Sequence, residues 1–166
     1  MAQLKILQEP DPRLRHPTVA VEKVDAEIVR ILQDMLETMY AHDGIGLAAP
    51  QVNVRYRLVV MDVGDGPLKL VNPEIVIQSE VLSVMKEGCL SVRDYQANVS
   101  RASDVRVRYW DEMGQVQEQD FSGLHATCVQ HEIDHLDGIL FIDHLSALNQ
   151  SLVRKKLQKL AARGYA

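Results

Sequence analysis

Between Asp25 and Ala41 the apolar residues Ile28, Ile31, Leu32, Met35, Leu36 and Met39 recur at intervals of three and four. That spacing lines one face of an α-helix. Asp25 is placed to cap its start, and Gly44 lies just past its end, as helix termini favour. Further along, the pattern changes to short apolar or alternating runs: "RLVVMDV" at 57–63 and "LKLVNPEIVI" at 68–77 predict two strands, with the turn-prone "GDGP" between them. "SRASDVRVRYWD" at 100–111 alternates valines with arginines and predicts one half-buried strand ending near Trp110; "QVQEQDF" predicts another after the "DEMG" turn. A helix is expected from about Ser122 to Asp137, stopped by Gly138, and a last one capped by Ser146 with Leu148, Leu152, Leu157 and Leu160 on its packing side. Before all of these, Pro10, Pro12 and Pro17 mark an irregular arm. The glycine-rich "GIGLAAPQ" at 44–51 fits neither the helical nor the strand period and reads as a loop. Helices and antiparallel strands are segregated rather than alternating, which places the chain in the α+β class.

Composition narrows this picture. With 166 residues, 46% of them hydrophobic and 25% charged, the chain is long enough for one domain, 1–166, with its own core. No apolar run approaches the roughly 20 residues of a membrane span, and the opening "MAQLKILQEPDPRLRHP" is too polar and proline-rich for a signal peptide. A cytoplasmic protein is expected, with Cys89 and Cys128 as free thiols. A net charge of −5 argues against DNA binding. From His144 onward, however, Arg154, Lys155, Lys156, Lys159 and Arg163 stand without a single acid. Such a run is either a solvated helix face or a docking surface.

The chemistry begins at "HEIDH", residues 131–135. Two histidines four apart share one helix face, with a carboxylate beside the first, a spacing suited to one metal ion and a general base. A third ligand is needed. Phe141 occupies the position where one protease pattern places its third histidine, and no glutamate follows Glu132. Asp137 is too close along the same helix, while Asp143 and His144 qualify only if the chain folds back. Cys128 and His135 are seven residues apart, about 10.5 Å along a helix, too far to share one ion without strain, so Cys128 reads as a small buried hydrophobe. Cys89 in "EGCLS", on a separate segment after Gly88, is the favoured third ligand. One thiolate and two imidazoles leave a fourth position for water. Glu132 then serves as the proton carrier; the Gln51 side chain and the Leu90 backbone N–H are candidates for holding a developing oxyanion.

Taken in order, "GIGLAAPQ", "EGCLS" and "QHEIDHLDG", with "DPRLR" near the start, resemble the motifs of the peptide deformylase family. The resemblance spans almost the whole chain. It implies a metal-bearing helix wrapped by small antiparallel sheets, and hydrolytic removal of the formyl group from formyl-methionyl nascent polypeptides with release of formate. It implies Cys89, His131 and His135 as metal ligands and Glu132 as acid and base. Gln51 and the Leu90 amide would hold the formyl oxygen, and Gly46 would meet the substrate backbone. Ile45, Met85, Glu87, Gln96, Leu124, Thr127 and Cys128 would complete the substrate-binding wall. The implied ion is Fe2+, with Ni2+ or Co2+ as active substitutes and Zn2+ as a poor one; ligand softness alone would have selected zinc. The family's link to nascent chains implies the ribosome as a partner for the basic C-terminal helix.

Three departures from the family pattern stand out. Arg93 follows "EGCLSV" where proline is usual, and Gln96 stands where many members carry arginine. His125 and Thr127, one turn before His131, are expected to make the methionine-side wall more polar. Two rival readings remain: an amidase acting on ordinary peptides, and a closed structural zinc site completed by a side chain such as His144. Glu132 argues against the second, because a structural site has no use for a carboxylate aimed at the ion.

Overall fold

The computed structural model describes residues 2–164. Helix α1 (Ala26–Ala41) is capped by the Asp25 side chain, which accepts from the Ile28 N–H. Seven strands follow: β1 (Gly46–Ala48), β2 (Leu58–Met61), β3 (Leu68–Gln78), β4 (Leu82–Cys89), β5 (Val92–Ala102), β6 (Asp104–Trp110) and β7 (Val116–Ser122). Then come α2 (Gly123–Leu136) and α3 (Ala147–Ala162). Five strands form one antiparallel sheet in the order β1-β2-β3-β6-β7, and β4 and β5 form a separate hairpin.

The sheet is covered on both faces. Val59, Met61, Leu70, Val107 and Phe121 pack with Ala126, Val129, Ile133 and Leu136 of α2. Leu58, Val60 and Val71 point the other way, into a layer with Leu32, Met35, Leu36 and Met39 of α1. That is why all four residues of β2 are buried: a strand between two layers has no wet face and loses its alternation. A third core joins Leu7 and Leu14 of the N-terminal arm to Val92 and Val99 of the hairpin, to Phe141 and to Val153 and Leu157 of α3. Helix α2 therefore runs through the middle of the molecule, which keeps its middle turns dry.

Four sequence expectations change. "GIGLAAPQ" is not a loop throughout: Gly46–Ala48 pair with β2, and Ala49–Val52 form a 3-10 turn. A three-residue strand is too short to show a period. The run 100–111 is two strands, not one. It turns at Ser103, whose N–H donates to the Val81 carbonyl, so that β5 stays with β4 while β6 enters the large sheet. The left-handed residue closing α1 is Asp43 (φ 56°) rather than Gly44. Finally, the packing side of α3 is Val153 and Leu157, whereas Leu148 and Leu152 are 68% and 56% exposed. Leucine identity suggested one stripe, but Val153 lies about 100° around the helix from Leu152 and turns that face inward.

Candidate active site

His131 and His135 project from adjacent turns of α2 toward Cys89 at the end of β4. The ligand-type atoms of these three residues all lie within 4.8 Å of one another, and Cys89 Sγ is 3.3 Å from His135 Nε2. The hairpin delivers the cysteine because β4 ends there: past Cys89 the chain turns at Leu90 and Ser91 before β5 begins. Cys128 borders the same cleft but does not join the cluster. Its Sγ is 3.6 Å from the Ile45 carbonyl, and burial pushes its thiol well above the ordinary range, as suits an inert core cysteine. His144, the rival fourth ligand, bonds the Asp134 carboxylate at 2.9 Å instead.

The donor set fits one divalent ion. A cysteine sulfur and two imidazoles converge, and the imidazole of His131 has its other nitrogen, Nδ1, fixed 2.8 Å from Glu87 Oε1. That contact sets the tautomer and turns Nε2 toward the cluster. Glu87 is itself gripped by Arg101, at 2.7 and 3.0 Å, and Arg101 also reaches Asp134 at 2.9 Å. Burial alone would raise the Glu87 carboxyl, but the bonds to His131 and Arg101 outweigh it and hold it below the usual range.

Glu132 is buried, and its Oε1 has no hydrogen-bond partner. In the metal-free protein burial, partly opposed by His131, pushes its carboxyl up to about 7. Gly46 gives it room: a Cβ there would sit 2.5 Å from Glu132 Oε2 and 2.8 Å from Cys128 Sγ. Gln51, 1% exposed, is oriented by Ala48, whose N–H donates to its Oε1 at 2.9 Å. Its amide nitrogen is thereby aimed at Ser91 Oγ (3.0 Å) and Cys89 Sγ (3.5 Å). A cavity of about 740 Å³ opens over these groups, lined in addition by Ile45, Glu87, Gly88, Leu90, Gln96, Leu124 and Thr127.

Most sequence-predicted site residues thus meet at one cleft. Met85 does not line it; its sulfur lies behind the wall and accepts from the Thr127 hydroxyl at 3.3 Å. The Glu87 side chain borders the cleft, but its carboxylate is committed to His131 and Arg101. His125 turns away to Asp65, 3.0 Å distant, so the extra polarity of that wall rests on Thr127 and Gln96. Arg93 borders a neighbouring cavity with Lys5 and His42. Arg101, Asp134 and Ser91 were missed. Asp134 inside "HEIDH" carried a signal, since a helix interior disfavours aspartate unless it has a partner.

A Cys-His-His cluster with an open side and a neighbouring carboxylate free of other bonds is the layout of a mononuclear metal-dependent hydrolase. The family model described as polypeptide deformylase matches residues 3–151, and the chain belongs to that family of metal-dependent hydrolases. It is 48% identical to a peptide deformylase of Rhodopseudomonas palustris (strain BisB18), over 99% of this chain and 98% of that one. It is 51% identical to one of Alkalilimnicola ehrlichii, over 99% and 94%. Among solved structures, it matches a peptide deformylase from Legionella pneumophila with a TM-score of 0.91 at 42% identity, covering 98% of each chain. It matches one from Ehrlichia chaffeensis in complex with actinonin with a TM-score of 0.93 at 40% identity, over 96% of this chain and 98% of that one.

Proposed function

We propose that the chain hydrolyses the formyl amide at the N-terminus of formyl-methionyl nascent polypeptides, releasing formate, with Cys89, His131 and His135 holding the catalytic ion. When bound, the ion supplies Lewis acidity, lowering the pKa of water and polarising the formyl carbonyl. Glu132 accepts the proton of the attacking water and returns it to the departing amine, for which its buried, unpartnered carboxylate beside the cluster suits it. The Gln51 amide and the Leu90 N–H receive the charge that develops on the formyl oxygen. Gly46 lets the substrate backbone approach Glu132, and Ile45, Gln96, Leu124, Thr127 and Cys128 border the first side chain. Glu87 acts through His131, which it orients.

The observation that carries this reading is the buried, unpartnered Glu132 Oε1 beside the Cys-His-His cluster. Fe2+ is the ion expected, with Ni2+, Co2+ or Zn2+ able to replace it. The proposed setting is the cytoplasm; no described helix is long and apolar enough to cross a membrane. The exposed basic residues of α3 support a docking contact with the ribosome. The test is formate release from formyl-Met-Ala-Ser by protein purified without oxygen, with the metal content of the same sample measured. Cleavage of unformylated peptides with formyl-Met-Ala-Ser untouched would favour the ordinary-peptidase reading.

A further inference from the structure

The register of the β4–β5 hairpin is broken beside the site. Gly88 pairs with Gln96 and Cys89 with Val92, so Arg93, Asp94 and Tyr95 form a bulge on β5 that has no counterpart on β4. Asp94 sits at φ 56°, a left-handed conformation uncommon for a residue with a side chain. Such a bulge needs outside support to hold one shape, and Asp94, Tyr95 and Gln96 all line the substrate cleft.

Support comes from α3. The Lys156 ammonium donates to the Asp94 carbonyl at 2.6 Å and lies 6.0 Å from the centre of the Tyr95 ring, within cation–π range. The Tyr95 ring stacks on Phe141 at 6.2 Å, and Phe141 stacks on His131 at 5.8 Å. Val153 and Leu157, on the buried side of the same helix, pack in one core with Phe141, Val92 and Val99, so the stem of Lys156 springs from a fixed base. A lysine that is merely solvated would have no reason to engage both a carbonyl and a ring on the same bulge.

We propose that Lys156 is a positioning residue: it braces the Arg93–Tyr95 bulge and so sets the shape of the cleft wall that receives the substrate chain. This role rests on the cleft being the substrate site argued above. It also separates Lys156 from Lys155, Lys159 and Arg163, whose charges point outward.

The test compares K156M, which keeps the aliphatic stem, with K156R and with K155M as a control on the same helix. Two quantities are read: amide hydrogen exchange of the 92–96 segment, and kcat and KM for formyl-Met-Ala-Ser at measured metal content. K156M is expected to speed exchange in that segment and to raise KM roughly three- to tenfold, with kcat and metal content unchanged. K156R should restore most of both, and K155M should behave as wild type. Wild-type exchange and wild-type KM in K156M would overturn the proposal. So would metal loss with kcat and KM disturbed together, which would make Lys156 a general structural residue. If the wild-type chain releases no formate, the proposed function fails, and the exchange comparison still decides whether the brace exists.

Discussion

Glu87 Oε1 lies 2.8 Å from His131 Nδ1, and both side chains are almost wholly buried. The contact makes a glutamate that borders the cleft the support of a proposed metal ligand. Its other oxygen is occupied by Arg101, so the imidazole is held by a chain of fixed charges rather than by solvent.

Glu87→Gln keeps the shape but weakens this support. Metal affinity should fall by roughly 10- to 100-fold, the usual cost of losing a partner behind a metal-bound histidine. Competition with a chelator, read as metal retained, checks this. Glu87→Ala should do worse, because it leaves Arg101, 5% exposed, with less compensation. Breaking a buried pair typically costs about 3–5 kcal/mol, and a urea melt would show it. Unchanged chelator competition in Glu87→Gln would remove Glu87 from the metal's support.

Gly46→Ala probes the space in front of Glu132. The new methyl would meet Glu132 Oε2 at 2.5 Å and Cys128 Sγ at 2.8 Å, so the carboxylate must move. Metal content should stay at wild-type level, since neither neighbour is among the proposed ligands. Turnover should drop by about 100-fold or more, as expected when a catalytic group is displaced by about 1 Å. Full activity would mean that the approach to Glu132 is wider than the geometry implies.

How much of this was legible beforehand depended on how far apart the cooperating residues lie. The His131, Glu132 and His135 arrangement follows from helical spacing within five residues, and α1 and α2 announce themselves by period. Cys89 could be reached by eliminating its rivals. Arg101 could not: it stands in an alternating run with Arg106 and Arg108, which are exposed, and only the turn at Ser103 places it inside. Likewise Leu152 and Val153 compete for the inner face of α3, and the third core, which joins α3 to the N-terminal arm, the hairpin and the Phe141 segment, decides between them.

The pH dependence follows from burial. In the metal-free protein Glu132 is pushed up to about 7 from an ordinary value of 4.5. The fold therefore prefers its protonated form. The stability tied to that preference is fully present below about 4.5 and is lost as pH rises through about 7. A gap of about 2.5 pH units is worth about 3 kcal/mol. Metal-free E132Q lacks the titration, so its stability relative to metal-free wild type should improve by about that amount between pH 4 and pH 8. Urea melts at several pH values measure the difference; a constant offset would contradict the assignment.

The basic face of α3 gives a prediction that the structure modifies. In the sequence Lys155, Lys156, Lys159 and Arg163 stand as four equivalent basic positions. Lys156 is engaged with the cleft rim, so the clean variant is K155E/K159E/R163E. It should leave turnover of a free formyl-peptide nearly unchanged and weaken sedimentation with ribosomes, and added salt should do the same to the unmodified chain. Equal co-sedimentation of both proteins at low salt would return this face to a solvated surface.

In the proposed reaction Glu132 moves the proton while Cys89, His131 and His135 hold the ion. Glu132→Gln tests it most directly, with bound metal and formate release measured on one anaerobic preparation. The expected result is a full complement of metal, with formate release from formyl-Met-Ala-Ser lower by at least about 10²–10⁴-fold. Loss of the ion from E132Q, or formate release near the wild-type rate with the ion in place, would contradict it.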